Sequence, residues 1–316
     1  MPRRRHSPQR PRGSVPAATP SPPAGPHRCG HVAIVGRPSV GKSTLLNALV
    51  GEKISITSRK PQTTRHRITG ILSDPGAQYV FVDTPGFQTL HRSRLNDRLS
   101  RAVHDTLAAV DVVVVVADAR RFDDADRTVL ALCPGGVPVI VALNKIDLVA
   151  DKRALLPRIA EIAKLRELAA IVPISAERGI DLATLKQEIA RHLPESPSLY
   201  PEDEFTDRDE RFLAAEFIRE KIFRQLGDEV PYSTAVTIES FERDGAMRRI
   251  RATVLADKPG QRAILVGEGG ARMKAIASAA RADMEQVFGG RVFLEVWVKV
   301  REGWTQSDAM LTRLGY

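Results

Sequence analysis

Cysteine is scarce: Cys29 and Cys133 are the only two in 316 residues. They provide no disulfide framework and fit a reducing cytosol. Long apolar runs are missing too. The longest purely aliphatic run is Val112 to Ala117, far too short to span a bilayer. No apolar core follows the arginines near the N-terminus, so a secretory signal is not expected. Structural zinc is not expected either. His27, Cys29 and His31 are possible ligands, but no second half-site follows them.

Acidic residues are absent from the first 30 positions, which hold six arginines. The whole chain carries a formal +9, from 47 basic and 38 acidic residues. Without those six arginines the rest has 41 basic against 38 acidic, or +3. The basic balance therefore comes mostly from a tail. Residues 1–28 are full of proline and have no apolar periodicity, so disorder is expected there. Such a tail is either a solvated leader or an electrostatic arm for RNA phosphates. Its prolines disfavour the amphipathic helix of a transit peptide.

What is present reads as two domains. From His31 to about Leu193, strand-like runs at 31–36, 68–74, 78–83, 111–117, 137–143 and 170–175 alternate with helical patterns at 42–50, 95–109, 123–133, 153–165 and 181–193. Continuous apolar strands such as "DVVVVVAD" belong to parallel sheets covered on both faces. The alternation predicts a doubly wound, mostly parallel α/β sheet. A proline-rich acidic stretch at 196–207 then reads as a linker. Residues 208–316 carry a different rhythm. A helix is predicted at 208–226 and strands at 233–242 and 247–256. A glycine turn then leads into a helix, followed by the strand "VFLEVWVKV" and a short C-terminal tail. The first domain is placed at 29–195 and the second, α+β, at 208–316.

Four motifs stand at strand ends, where α/β proteins bind ligands. The loop Gly36-Arg37-Pro38-Ser39-Val40-Gly41-Lys42-Ser43-Thr44 has P-loop spacing between a strand and a helix. Its glycines turn backbone N–H groups toward phosphate at a helix N-terminus. Lys42 would reach the β- and γ-phosphates and the Ser43 hydroxyl would bind Mg²⁺. By itself this loop does not choose between ATP and GTP. Asp83-Thr84-Pro85-Gly86, then Phe87, follows a strand. There Asp83 can hold a Mg²⁺-bound water and Gly86 can offer its N–H to the γ-phosphate. Alone, this stretch is an ordinary turn.

The third motif, Asn144-Lys145-Ile146-Asp147, selects the base. Guanine presents N1–H and the 2-amino group side by side, and the Asp147 carboxylate can accept from both. Adenine would leave that carboxylate unpaired. The apolar stem of Lys145 can lie over the purine. The fourth motif, Ser175-Ala176-Glu177, is placed to give a backbone N–H to the guanine oxygen.

With these motifs the chain resembles translation-factor-class P-loop GTPases, and specifically the bacterial Era family. The stretch "SRKPQTTRHRITGI" (58–71) is similar to that family's first switch. Further likeness lies in "LYPEDEFTDRDERFLAAEFIREKI" and "LEVWVKVREGW", so the resemblance covers residues 31–316. It implies a threonine closing on Mg²⁺ beside GTP, with Thr64 the match and Thr63 the alternative. It also implies that the second domain is a KH module whose GxxG turn, Gly267-Glu268-Gly269-Gly270, clamps single-stranded RNA backbone. Arg272 and Lys274, just past the turn, are the expected phosphate partners.

The implied function is a monomeric, GTP-hydrolysing switch with Mg²⁺ and bound GTP or GDP. It would bind the 3′ end of small-subunit ribosomal RNA and act in 30S subunit maturation, in the cytoplasm. The family also associates peripherally with the inner face of the cell membrane, for which this chain shows no anchor. Two other readings remain. One is an RNA-binding module with a merely structural nucleotide site. The other is a different GTPase, acting on tRNA or at the membrane.

Three positions depart from common patterns. Ser39 stands where the family usually has Asn, which puts K⁺ stimulation in doubt. Glu268 adds negative charge inside the GxxG turn. Phe87 follows Gly86 where Ras-like proteins place a water-orienting glutamine; Era-type proteins also carry an apolar residue there. No catalytic base and no arginine finger emerge from the sequence.

Overall fold

In the computed structural model, residues 26–58, 60, 63–87, 94–227 and 229–315 are described. Of the tail expected to be disordered, 1–28, residues 1–25 lie outside them, whereas Arg28 is already paired in a strand of the first sheet. Arg59, Pro61 and Gln62 of the switch-like stretch also lie outside them.

The first sheet has six strands in the order β2-β3-β1-β4-β5-β6. These are β1 (Arg28–Val35), β2 (Ile68–Asp74), β3 (Ala77–Asp83), β4 (Val112–Asp118), β5 (Val139–Asn144) and β6 (Ala170–Pro173). All neighbours are parallel except β2 and β3, which pair antiparallel. Alternate residues of the central strands serve two separate cores. Val32, Ile34, Val112 and Val114 pack with α1 (Lys42–Val50) and α5 (Leu182–His192). Ala33, Val35, Val113 and Val115 pack with α2 (Arg94–Leu107), α3 (Asp124–Leu132) and α4 (Leu155–Ala163). Burial on both faces explains why β4 and β5 read as unbroken apolar runs.

Composition marks 196–207 as a spacer, yet the stretch is docked. The Gln78 side chain accepts from the Leu199 and Tyr200 amides at 2.7 and 3.0 Å and donates to the Tyr200 carbonyl at 2.8 Å. The Ile71 amide donates to Phe205 O at 3.0 Å, and the Thr206 hydroxyl to Thr69 O at 2.7 Å. The segment thus covers the β2 edge of the sheet, which would otherwise present unpaired backbone groups.

The second domain runs α6 (Glu210–Gln225), β7 (Thr234–Asp244), β8 (Met247–Ala256), α7 (Pro259–Val266), α8 (Ala271–Phe288) and β9 (Val292–Val300). Helix α6 is capped by Asp209, whose carboxylate accepts from the Phe212 amide at 2.8 Å. The sheet order is β7-β8-β9, with β7 antiparallel and β9 parallel to β8. A parallel neighbour needs a long crossover, and α7 and α8 provide it. Helices α6 and α8 bury Leu213, Phe217, Ile276, Ala280 and Met284 against this sheet.

The expected C-terminal tail is a folded segment instead. Trp304 and Leu311, the latter in α9 (Asp308–Arg313), are fully buried with Leu99 of α2. The Trp304 indole donates to Ser233 O at 3.1 Å. Its large apolar ring explains why the segment docks on the first domain.

Candidate functional site

The P-loop follows β1 and opens α1, as the strand–loop–helix pattern predicts. Gly36 sits where an added Cβ would strike the Val116 carbonyl, and Gly41 where it would strike the Asn144 amide. These contacts explain the glycines: the loop is pressed onto the sheet and onto the third motif. Lys42 is buried and its ammonium donates to Gly36 O and Arg37 O, each at 3.1 Å. Burial lowers its pKa to about 8, opposed by the nearby Asp83 carboxylate. The Arg37 side chain leaves the site altogether, because its Nε donates to both Asp126 oxygens at 2.9 and 3.0 Å.

Ser43, Thr64 and Asp83 meet at one point. The Ser43 hydroxyl lies 2.8 Å from both Thr64 Oγ1 and Asp83 Oδ2. Thr63 points elsewhere, with its hydroxyl 2.8 Å from Lys60 O and 2.9 Å from Ser58 Oγ. Asp83 Oδ1 is buried and has no hydrogen-bond partner among the described residues. Burial raises the Asp83 carboxyl, against the pull of Lys42, Ser43 and Ser55, with weaker help from Thr64. An all-oxygen set with an orphaned carboxylate oxygen fits Mg²⁺, which prefers such donors and keeps several waters.

Asn144 fastens the base-reading loop to the P-loop. Its Nδ2 donates to Val40 O at 2.9 Å, and its Oδ1 accepts from the Ala176 amide at 2.9 Å. The Ala176 N–H expected at the guanine oxygen is therefore engaged with Asn144 in this conformation. Lys145 lies in left-handed backbone, φ 67°, and its ammonium reaches Ser39 O at 2.6 Å and Asp118 at 3.0 Å. Its stem thus bridges the third motif and the P-loop. The Asp147 carboxylate accepts from the Ser175 hydroxyl at 2.6 Å. Gly86 packs on Pro38, where a Cβ would come within 2.9 Å of its Cα. The Phe87 N–H donates to Gly36 O at 3.2 Å, and the ring stands edge-on to His104.

Two contributors escaped the sequence reading. Asp118 ends β4 directly beside Asn144, and the strand-end rule could have found it. Burial alone would raise its carboxyl, but bonds from Arg120 and the pair with Lys145 hold it well below the usual range. Ser55 donates to Asp83 Oδ2 at 3.0 Å. It stands in a loop without a motif, so no local signal marks it.

The switch-like stretch is shared between the domains. Thr64 faces Ser43, while Arg65 donates to Thr234 O, Pro231 O and Tyr232 O at 2.8 to 3.0 Å. Thr57 meets Glu220 and Arg224 of α6, the Arg224 guanidinium donating to Thr57 O at 2.9 Å. His66 is edge-on to Phe212, with ring centroids 5.2 Å apart.

Gly267, Gly269 and Gly270 all have positive φ, at 73°, 54° and 82°. A Cβ on Gly267 would lie 2.7 Å from Arg272 Cβ. The turn joins α7 to α8, and Glu268 is exposed at its tip. Beside it runs an open groove lined by Arg262, Val266, Met273, Lys274, Arg281 and Trp297. Of the two expected phosphate partners, only Lys274 lines the groove. Arg272 instead donates to the Ile264 carbonyl at 2.9 Å. Arg262, Arg281 and the half-exposed Trp297 were not foreseen; α7 brings in the first, and the outward alternation of β9 the last.

The family model described as a 50S ribosome-binding GTPase matches residues 31–145, and the KH domain model matches residues 229–305. GTPase Era of Chromobacterium violaceum is 53% identical over 290 residues, spanning 92% of this chain and 98% of its own. GTPase Era of Neisseria meningitidis serogroup B is 54% identical over 294 residues, spanning 92% and 96%. Among solved structures, a Tyr-to-Ala variant of Aquifex aeolicus Era bound to GDP·AlF4⁻ superposes with a TM-score of 0.88 at 39% identity, over 92% of this chain and 99% of its own. An Era complex with MgGDPNP and nucleotides 1506–1542 of 16S ribosomal RNA gives the same TM-score, identity and coverage.

Proposed function

The chain belongs to the Era family of GTPases, and from that premise we propose that it is a GTP-dependent switch for small-subunit ribosomal RNA. It hydrolyses GTP to GDP and phosphate. In this reading its KH groove holds the 3′ end of that RNA, and the protein acts in 30S subunit maturation. One observation carries the nucleotide half: Asn144 bonds both the P-loop and Ala176, so segments from three strand ends surround one polar pocket. The RNA half is supported by the positive-φ glycine turn beside a basic groove.

The 50S description of one family model covers only residues 31–145, which hold no part of the groove. The likeness spanning both domains is to an Era bound to 16S RNA, so the small subunit is the favoured partner. The chain is read as a monomer in the cytoplasm. No helix among the described residues is long and apolar enough to cross a membrane. Peripheral contact with the inner membrane face stays part of the proposal, and co-sedimentation with anionic lipid vesicles tests it.

Ser43 and Thr64 would hold Mg²⁺ directly and Asp83 through water. The ion, when bound, would neutralise charge developing on the β- and γ-phosphate oxygens. Lys42 would leave the Gly36 and Arg37 carbonyls for those phosphates. Asp147, oriented by Ser175, would accept from guanine N1–H and the 2-amino group. The Asn144 links hold the base-reading loop at a fixed distance from the phosphate loop. The Phe87 ring supplies neither proton nor hydrogen bond, so the side chain after Gly86 does not orient the attacking water.

Incubating the full chain with GTP or ATP tests the reading. Slow phosphate release from GTP alone is expected. Absence of GTP turnover, with RNA binding intact, would favour the RNA-binding module with a structural nucleotide site.

A further inference from the structure

We infer that Ser55, latched by Asn47, is a positioning residue that aims the Asp83 carboxylate at Mg²⁺; this rests on the nucleotide-site reading above. Ser55 is 1% exposed, and its hydroxyl donates to Asp83 Oδ2 at 3.0 Å. Ser43 donates to the same oxygen at 2.8 Å. Two donors converging on Oδ2 fix the rotation of the carboxylate and leave Oδ1 as the oxygen that receives a metal-bound water. A carboxylate held only for the sake of the fold would be served at both oxygens, since buried polar atoms are nearly always paired. Here Oδ1 is buried and unpartnered among the described residues.

Ser55 is itself held from behind. Asn47 Oδ1 accepts from the Ile54 and Ser55 amides at 3.1 and 2.9 Å, and its Nδ2 donates to Ser55 O at 2.7 Å. Asn47 lies four residues after Ser43 in α1, so one helix face presents both the metal-binding hydroxyl and the latch. The neighbours of Ser55 are pinned in different places. Ile54 is buried in the core of the first domain and Ile56 in that of the second. The backbone that carries the hydroxyl cannot shift away from Asp83 without disturbing one of these cores.

Titrating Mg²⁺ against the full-length protein loaded with fluorescent GDP, and following nucleotide release, tests this. Ser55→Ala should raise the Mg²⁺ concentration for half-retention by ~10-fold, equivalent to about 1.4 kcal/mol and near the low end for a hydrogen bond to a charged group. GDP affinity in EDTA should stay within about twofold, because the serine touches the carboxylate and not the nucleotide. Ser55→Thr, which keeps the hydroxyl, should behave like wild type. Asn47→Ala should shift the midpoint in the same direction, and carries the test if Ser55→Ala does not fold. An unchanged Mg²⁺ midpoint in folded Ser55→Ala would overturn the inference. Ser43→Ala is the control. If it too leaves the midpoint unmoved, the assignment of the metal site itself has failed, and the inference with it.

Discussion

The nucleotide site and the RNA groove are built in opposite ways. Lys42, Asp83, Asn144 and Ser175 are buried, and each is already bonded to another part of the site. Arg262, Lys274 and Arg281 of the groove are exposed. A small, highly charged ligand needs donors and acceptors fixed beforehand, because reorganising them would cost affinity. An RNA strand is met by a backbone turn and by mobile cations that follow its phosphates. The first site is therefore fragile to single atoms, and the second to shape and total charge.

The largest expected effect strikes the fragile site. Asp147→Asn puts a donor opposite the guanine 2-amino group, at a cost of about 2–5 kcal/mol. GDP affinity should fall tens-fold or more, and xanthosine diphosphate, with a carbonyl at that position, should bind the variant better than GDP does. RNA binding should not change. Titration of GDP, XDP and ADP against both proteins checks this, and wild-type GDP affinity in the variant would show that residues 144–147 do not read the base.

A smaller effect is expected at His66, which packs on Phe212 of α6 where the two domains meet. Burial lowers its pKa to about 4, with Glu216 opposing and Arg219, Arg208 and Arg65 assisting. An unfolded histidine takes up its proton near pH 6.5, so the unfolded chain binds more protons between pH 6.5 and 4. Its contribution to stability is whole above pH 6.5. That contribution is lost as pH falls toward 4, by at most about 3 kcal/mol. His66→Phe should flatten the decline of Tm between pH 7 and 5. The same acid slope in the variant would remove His66 from the account.

The smallest effect belongs to the tolerant region. Lys274→Ala should weaken RNA binding modestly and for all sequences alike, lowering the log–log salt slope by about 0.7 if the ammonium meets one phosphate. An unchanged slope would take Lys274 off the phosphates.

The same contrast governs what could be read before the structure. Strand-end motifs carry their chemistry in neighbouring residues, so Lys42, Asp83 and Asn144 were legible as candidates, as was the alternation of strands and helices around them. Ser55 and Asn47 gain their meaning only when a motif-free loop folds onto Asp83. Arg272 looked like a phosphate partner from its distance to the turn, yet the end of α7 offers its guanidinium a carbonyl at 2.9 Å. Helix α7 itself was hidden, because it opens on Pro259-Gly260 and spans only 8 residues. The C-terminal segment read as a tail because the partner of Trp304 is Leu99, about 200 residues away in sequence. The stretch 196–207 read as a spacer because what holds it is distant in sequence: the Gln78 side chain and the backbone of Thr69 and Ile71, all on the neighbouring sheet.

The most direct test of two separable sites on one chain is Gly269→Asp combined with Gly270→Asp, with both ligands followed on the same sample. Two carboxylates would enter the turn at positions of positive φ, where they repel phosphate and strain the backbone. The account predicts that the double variant no longer binds single-stranded RNA carrying the 3′-terminal sequence of 16S ribosomal RNA, and that its GDP affinity equals that of the wild type. Wild-type RNA affinity in this variant, or joint loss of both ligands from a folded protein, would contradict it.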